Sequence, residues 1–295
     1  MALDNYRFGS REIANVTFRA LNDTVINGQT FKKNQPVFHL TSAKTTALES
    51  QSTTVYAQGG RGNPRLIAWE GGKTMTFNVT DALLTPMSLA ILTGGSTRAA
   101  AADAPIDVPT QFECVVGENG LVTISKDMLA GTKGLVVTDD LPIFGTVQDS
   151  VGADIVFCDN PTFDEGNVAA SGVYPVDKDI KLTFEVAKES VGKTIVIDAY
   201  TRRDTKVNEI SIEAGKFAGF FYVEAETLFR EESTGEDFPA MFVLPRVKIQ
   251  SNITFNMSPD GDPSTFAFNM DAFPGYTNTN KTKKVLCSIA TINTL

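Results

Sequence analysis

The side chains that could perform chemistry are few and lie far apart in the sequence. The single histidine, His39, lies within an apolar segment, and one imidazole cannot supply the ligand cluster of a zinc site. No Ser or Cys accompanies it in a nucleophile motif. The sequence therefore predicts a structural histidine rather than a catalytic one.

Three acidic clusters could bind a cation. Asp260-Gly261-Asp262 resembles the start of a calcium loop but lacks the further oxygen ligands and the distal Glu of such loops, which favours a turn. Asp139-Asp140 and Asp164-Glu165 could hold a hard cation or act as an acid–base pair if the fold brought them together. A solvated acidic surface is the simpler interpretation. We expect no catalytic site, no metal and no cofactor, and hence no enzyme.

Glycines and cysteines also suggest structure rather than chemistry. Residues 41–64 are rich in Thr, Ser, Gln and Gly, which predicts an extended, mobile loop or a hairpin tip. Its glycines precede neither Lys-Ser/Thr nor a helix, so they do not match a phosphate-binding loop. Cys114, Cys158 and Cys287 are odd in number and widely spaced. They are expected to be packing residues outside any disulfide framework.

Composition limits the class of protein. The chain has 295 residues, 42% hydrophobic and 21% charged, as is usual for folded globular proteins. No apolar run approaches the roughly 18 residues of a membrane span. The first residues lack the basic and apolar regions of a signal peptide, so folding in a cytoplasm is expected.

Charge is distributed unevenly along the chain. Residues 1–100 carry 10 basic and 6 acidic side chains, residues 101–205 carry 8 and 18, and residues 206–295 carry 8 and 11. The acidic middle third predicts a separate module. Nothing in this balance favours nucleic-acid binding by attraction, which needs a basic stripe.

The organising element is a predicted β-hairpin over residues 246–272. In its first strand Val247, Ile249, Ile253, Phe255 and Met257 point one way, and Lys248, Gln250, Asn252, Thr254 and Asn256 point the other. Such alternation is typical of a strand with one buried face. A second amphipathic hairpin is predicted over residues 65–80, with a turn at Gly71-Gly72 and the neutral polar face Thr74, Thr76 and Asn78.

Other signals complete a mainly β fold with a short flanking helix. Asn27-Gly28 predicts a tight hairpin turn. Thr85 and Pro86 predict a helix start, and Gly94-Gly95 predicts its end. Strand-like segments from Phe112 to Tyr200, including an alternating one over residues 180–186, predict a small all-β, Ig-like sandwich. The predicted organisation is a first domain part at 1–105, an inserted acidic domain at 106–205, and a second part at 206–295.

Three segments carry a family resemblance: AQGGRGNPRLIAWE at 57–70, LFREE through DF at 228–238, and KIQSN through GDPSTF at 248–266. They resemble tail-tube-type structural proteins of tailed bacteriophages, over about residues 50–95 and 205–275. The resemblance implies a β-sandwich or barrel with a flanking helix, whose subunits join into six-fold rings. The rings stack into a hollow tube through which DNA passes without specific binding. Residues 106–205 would be an added domain on its outer face.

The resemblance also implies sites and partners. The protein would be a virion component made in the bacterial cytoplasm, with tail sheath, baseplate or tail-terminator proteins as possible partners and no membrane association. One of the two polar hairpin faces would line the lumen. The candidate lumen-facing residues are Lys248, Gln250, Asn252, Thr254 and Asn256. The candidate inter-ring or inter-subunit loop is Gln58, Gly59, Gly60, Arg61, Gly62 and Asn63.

A second class of function stays open at this point. A β-sandwich adhesin or another tail or baseplate protein would also fit the composition, with the acidic module recognising a surface ligand. Rings or tubes in electron micrographs would favour the first class.

Overall fold

A computed structural model describes residues 7–10, 12–148, 155–159, 161–163, 172–254 and 265–292. The protein is mainly β with a short α-helix, which confirms the predicted fold class. The chain divides into two compact units, Met1–Thr97 with Ile210–Leu295 and, between them, Arg98–Glu209. The first is called the tube unit here and the second the middle unit.

The elements follow one another in chain order. The first part contains β1 Phe8–Ser10, β2 Asn15–Ala20, β3 Thr24–Ile26, β4 Gln29–Phe31, β5 Pro36–Leu40, β6 Ala43–Gln58, β7 Arg65–Asp81, α1 Pro86–Thr93 and β8 Ser96–Ala99. The middle contains β9 Ile106–Val115, β10 Leu121–Ile124, β11 Gly134–Val136, β12 Phe144–Gln148, β13 Ile155–Cys158, β14 Thr162–Phe163, β15 Val173–Tyr174, β16 Ile180–Thr183 and β17 Thr194–Arg203. The last part contains β18 Asn208–Ser211, β19 Phe220–Glu231, β20 Asp237–Ile249, β21 Phe266–Ala272 and β22 Ser288–Thr291.

A nine-stranded antiparallel sheet forms most of the tube unit, and β3 and β4 form a separate two-stranded sheet. The strand order of the nine-stranded sheet is β5-β2-β19-β20-β21-β7-β6, with β1 on β19 and β22 on β20. The hairpin of β19 and β20 is central, because each of these strands has partners on both sides. β20 begins nine residues before the predicted hairpin strand and pairs mainly with β19, while its pairing with β21 covers Val247 to Ile249.

Phenylalanines from four strands form the centre of this unit's core. The rings of Phe18 and Phe38 stack at 4.1 Å, and Phe221 meets Phe18 edge-on at 5.9 Å. Phe268 lies 6.1 Å from Phe38. These are the separations at which aromatic pairs attract beyond simple area burial. Ile91 and Leu92 of α1 join the same buried cluster, which packs the helix on the sheet.

The helix has the predicted ends. Thr85 Oγ1 accepts from the Ser88 amide at 3.1 Å, and Ser88 Oγ accepts from the Thr85 amide at 2.9 Å. This reciprocal pair satisfies two of the amides that a helix start leaves free. Pro86 occupies the first turn, and Gly94 adopts the left-handed conformation with φ 73°. The helix prediction is confirmed.

Two local predictions are wrong. Residues 43–58 form strand β6 rather than a mobile loop, although residues 59–64 form a hairpin tip as the alternative predicted. β7 runs through Gly71-Gly72 instead of turning there. Between the pairs Ser52–Lys73 and Thr54–Glu70, one residue of β6 opposes two of β7, which is a β-bulge. A Cβ on Gly71 would lie 2.4 Å from Thr53 Oγ1. The Gly pair therefore indicates close backbone approach rather than a reversal.

Two sheets make up the middle unit. A six-stranded sheet has the order β13-β12-β17-β11-β15, with β9 on β17, and a three-stranded sheet has the order β10-β16-β14. β16 ends at Thr183, so the predicted strand over 180–186 is too long. A 3₁₀ helix follows over Glu185–Ser190. The unit has its own buried cluster, which includes Phe112, Leu135, Phe184, Ile195 and Ile197.

The segments that join the units pair with each other. β8 and β18 form a two-stranded sheet, so Ser96–Ala99, which follows the glycines at the helix end, is a strand. The units divide at 97/98 and 209/210, whereas the sequence predicted 105/106 and 205/206. Independent folding of the middle unit stays a prediction.

Two left-handed glycines offer a matched test of the helix end. Gly94 has φ 73° and a Cβ there would lie 2.4 Å from the Phe217 carbonyl carbon, whereas Gly28 has φ 74° and open space. Gly28→Ala should lower the free energy of unfolding by about 1–2 kcal/mol through left-handed strain alone. Gly94→Ala should cost about 1–3 kcal/mol more through the clash. Urea denaturation measures both, and equal losses would contradict the packing of Phe217 on Gly94.

The middle unit should fold alone, because its buried cluster lies wholly within residues 98–209. We expect an excised 98–209 fragment to give a dispersed amide NMR spectrum and one cooperative unfolding transition. A fragment with collapsed amide dispersion would show that the unit depends on the rest of the chain.

Candidate assembly surfaces

The predicted polar row alternates as expected only at its start, and the prediction that its strand continues through residues 250–254 is wrong. Val247 and Ile249 are buried and Lys248 between them is exposed. The strand ends at Ile249, and Asn252 and Thr254 lie exposed beyond it. Asn256, Phe255 and Met257 lie outside the described residues.

The register of β21 joins the two predicted polar faces into one. Lys248 is opposite Asp271, Asp271 is opposite Thr76, and Thr76 is opposite Glu49. In the next row Asn78 lies between Asn269 and Ala47. Residues directly opposite in adjacent strands point to the same side of a sheet. Thr76, Asn78 and Lys248 therefore belong to one surface, called the polar face here.

This face is less neutral than the sequence suggested. Asp271 and Glu49 lie beside the uncharged residues of β7 and β20. Gln250 Nε2 donates to both carboxylate oxygens of Asp271 at 3.2 and 3.1 Å. The backbone N–H of Gln250 donates to the backbone carbonyl of Asn269 at 2.8 Å. The polar face thus combines amides and hydroxyls with carboxylates held in place.

The cations at the base of this row contact aromatic rings. The Arg246 guanidinium lies 4.4 Å from the centre of the Phe220 ring, and Lys248 Nζ lies 5.8 Å from it. Cations at such distances are attracted by the ring's negative face. Phe220 is also opposite Lys248 in the register of β19 and β20.

Farther along the sheet, Arg19 is paired within the subunit. Arg19 Nε donates to Glu224 Oε2 at 2.8 Å and Arg19 Nη1 to the Asn34 carbonyl at 3.1 Å. His39 Nδ1 lies 2.9 Å from Thr17 Oγ1 in the neighbouring strand. His39 is therefore an exposed strand residue whose ring shares a local hydrogen bond with the Thr17 hydroxyl.

The second surface is the distal part of the hairpin of β6 and β7, residues 49–74, called the arm here. β21 pairs with β7 from Thr76 to Asp81. In the described residues, the part of β7 before Thr76 pairs with β6. Residues 49–56 and 60–74 are exposed. At about 3.3 Å per residue the arm extends about 30 Å from the sheet. It is a two-stranded ribbon with both faces in solvent.

Large apolar side chains cluster in the outer half of the arm. Val55, Leu66, Ile67 and Trp69 are each more than half exposed, and Tyr56 is 40% exposed. Val55 is opposite Trp69, and Ala57 is opposite Ile67, so these four share one face of the ribbon. Leu66 lies on the other face, and the Arg65 guanidinium lies 4.1 Å from the Tyr56 ring centre. Contiguous exposed apolar groups of this kind mark interaction surfaces.

The predicted candidate loop forms the tip of the arm. The Gly59 amide donates to the Pro64 carbonyl at 3.2 Å, and the Asn63 amide donates to the Gly60 carbonyl at 3.1 Å. Gly60, Gly62 and Asn63 have positive φ, and Arg61 is exposed between them. Asn63 Nδ2 donates to Gln58 Oε1 at 3.4 Å, which closes the turn.

The apolar arm is not predicted from the sequence, because the Ser, Thr and Gln content of residues 41–64 is also typical of a loop. The signal was present in Thr54-Val55-Tyr56 and in Leu66-Ile67 with Trp69, since β-branched and aromatic residues favour strands. Their exposure could not be predicted, because it depends on β21 ending short of the arm.

Other candidate chemistry finds little support. Asp139 and Asp140 are exposed, while Asp164, Glu165, Asp260 and Asp262 lie outside the described residues. In the part of the chain that the structure describes, no three His, Cys, Asp or Glu side chains cluster as metal ligands. The same part has no helix long and apolar enough to cross a membrane.

The three cysteines are free, and Cys114 and Cys158 are buried. Burial raises the pKa of the Cys287 thiol to about 11. A thiol with such a pKa stays protonated at neutral pH and is a poor nucleophile. The cysteines therefore pack as small apolar groups.

Comparison with known proteins identifies the family. No curated protein matches the chain. The model of the YomU/Tube protein family matches residues 21–141 and 147–286, which include both the polar face and the arm. The word Tube in this description supports a phage tail-tube-like protein and so agrees with the resemblance in the three segments. The chain belongs to the YomU/Tube protein family.

Proposed function

We propose that this protein is a structural subunit of a phage tail tube and not an enzyme. Six copies close into a ring, rings stack into a hollow tube, and DNA leaves the virion through its lumen. Sheath, baseplate or tail-terminator proteins are the partners that such a tube would meet. The observation that carries the proposal is the arm, a projecting ribbon whose apolar side chains have no cover within the described chain.

The arm needs a partner on energetic grounds. A two-stranded hairpin is marginally stable by itself in water. Fully burying a large aliphatic or aromatic side chain contributes roughly 1.5–3 kcal/mol. Val55, Ile67 and Trp69 on one face and Leu66 on the other could therefore supply several kcal/mol if neighbouring copies covered both faces. Arg61 and the tip glycines would then lie at contacts between subunits or between rings.

Ring closure is supported by the free edges of the sheet. β5 and β6 terminate the strand order of the tube unit, and an open edge presents backbone donors and acceptors that another strand can pair. Joining one edge of each copy to a different edge of the next is a heterologous contact, which closes into a ring at the right rotation. Six-fold closure is part of the proposal.

The polar face is proposed as the lumen wall. DNA slides past a wall that does not bind phosphate, because every Lys or Arg contact would add affinity through counterion release. The face presents Thr76 and Asn78 together with the carboxylates of Glu49 and Asp271, and the exposed residues Asn252 and Thr254 follow the end of its strand β20. Lys248 and Arg246 lie against Phe220 and at the edge of this surface. Repeated in a ring, the carboxylates would repel DNA weakly and keep it mobile.

The arm is tested by replacing Ile67 and Trp69 with Ser. Both side chains are more than half exposed in the subunit, so the monomer should keep its fold. Assembly should need at least a tenfold higher protein concentration, because roughly 1.4 kcal/mol of lost burial corresponds to one decade. Light scattering after size exclusion, with negative-stain microscopy, gives the readout.

Val186→Ser provides the control for this test, since Val186 is 54% exposed and lies in the middle unit. It should assemble as the unmodified chain does. If the double variant formed rings and tubes at the unmodified concentration, the arm would not be an assembly contact. An unmodified chain that stays monomeric at high concentration would contradict the tube itself.

The lumen assignment is tested by charge. Asn252→Lys with Thr254→Lys places two cations per subunit at exposed positions, so folding and assembly should persist. DNA release from phage carrying the double variant should slow at least tenfold, because the added cations bind passing phosphates. Asn252→Gln with Thr254→Ser keeps the positions neutral and should release DNA normally. Normal release from intact Lys-variant particles would place this face outside the channel.

A further inference from the structure

A cleft on the middle unit has no role in the tube proposal. It has a volume of about 790 Å³ and lies over strands β9, β12 and β17. Its principal lining residues are Pro109, Gln111, Asp140, Phe144, Asp198 and Tyr200. Loop residues 140–142 form one wall.

The strand register places aromatic and polar groups side by side. Phe144 is opposite Asp198, and Asp198 is opposite Gln111, so these three form one row across the sheet. Tyr200, opposite Pro109, lies two residues farther along β17. Neighbouring strands are about 4.8 Å apart, and next-nearest residues on one face are about 6.7 Å apart. Phe144 and Tyr200 therefore both lie within about 10 Å of the Gln111–Asp198 pair.

Phe144 is notable because it is 49% exposed, although Ile143 beside it is buried in the core. An aromatic ring that is half exposed beside polar groups in a concavity is the usual composition of a small-molecule site. The ring of Tyr200 adds a phenolic hydroxyl as donor and acceptor.

The polar groups of the cleft are fixed in orientation. Gln111 Nε2 donates to Asp198 Oδ1 at 2.7 Å, which leaves the second Asp198 oxygen as an acceptor and the other Gln111 N–H as a donor. An acceptor and a donor side by side complement two neighbouring hydroxyl groups. Asp140 on the wall offers two more acceptor oxygens.

Charge narrows the choice of ligand. Of the described residues that line the cleft, none is Lys or Arg. Arg202, farther along β17, is held by Asp107 through two hydrogen bonds at 2.7 and 2.8 Å. Residues 101–205 carry 18 acidic and 8 basic side chains. An anionic polymer would therefore be repelled, whereas an uncharged, hydroxyl-rich ligand would not.

We propose that this cleft binds a neutral oligosaccharide. The apolar C–H face of a pyranose ring would pack on Phe144 or Tyr200, as aromatic rings provide large, rigid apolar surfaces. Two adjacent hydroxyls would bond to Asp198 and Gln111. A site built to hydrogen-bond hydroxyls discriminates against ligands that lack them, because its polar groups would be left unpaired.

The test uses the full-length chain and a panel of neutral hexasaccharides of glucose, galactose and N-acetylglucosamine. Isothermal titration calorimetry should detect binding of at least one of them. Phe144→Ala and Tyr200→Ala should each weaken that binding at least tenfold. Phe157→Ala is the matched control: Phe157 is 75% exposed on the same six-stranded sheet but does not line the cleft, and its affinity should stay unchanged.

Asp198→Asn keeps a polar group of the same shape and should weaken binding while leaving thermal unfolding unchanged, which separates recognition from folding. Absence of binding across the panel would overturn the proposal. So would equal loss with Phe157→Ala, or a preference for heptalysine over every sugar, which would identify the cleft as a site for a cationic peptide. Ring assembly is scored separately, so failure of this proposal leaves the tube proposal intact.

Discussion

Pairing of β21 with both β20 and β7 is the interaction on which the tube unit's surface depends. β21 has only seven residues, yet it fixes the register between the central hairpin and the edge hairpin. A slip by one residue would turn Phe268 and Met270 to solvent and Asp271 into the core. Burial of Phe268 and Met270 therefore holds Asn269 and Asp271 on the polar face.

The end of β21 also determines where the sheet stops and the arm begins. On the sheet side, Phe77 and Val79 are buried, because β21 and the core cover them. Beyond Thr76 the same strand keeps β6 as its recorded partner, and its side chains are exposed. One continuous strand is thus buried in the core at one end and exposed at the other. The bulge at Gly71 increases the local twist of the ribbon between these two parts.

The sequence predicted those features that depend on local chemistry. Thr85, Pro86 and Gly94 define a helix through caps that need only near neighbours, and Asn27-Gly28 defines a tight turn in the same way. Alternation in the segment of β20 identified Val247 and Ile249 as buried. Gly71-Gly72 was misread because a bulge and a turn use glycine for related reasons, and only the partner strand with Thr53 distinguishes them.

Non-local pairing explains what the sequence could not provide. The polar faces of residues 74–78 and 248–256 are alternative lumen walls in the sequence analysis. Nothing in β7 or β20 alone reveals that β21 lies between them and joins them into one face. The charge of the combined face was underestimated for the same reason, since Glu49 comes from a segment interpreted as a loop.

Aromatic contacts also affect the charge that this surface can offer. Arg246 lies two residues before Lys248 in β20, and both cations lie toward the Phe220 ring. Phe273 packs edge-on against Phe220 at 5.4 Å and limits the ring's movement. A cation attracted to a fixed ring face reaches less freely toward a passing phosphate than one on a flexible, solvated stem. The carboxylates of Glu49 and Asp271 have no such constraint from an aromatic ring in the recorded contacts. The polar face therefore carries the carboxylates of Glu49 and Asp271 beside two cations that lie toward the Phe220 ring.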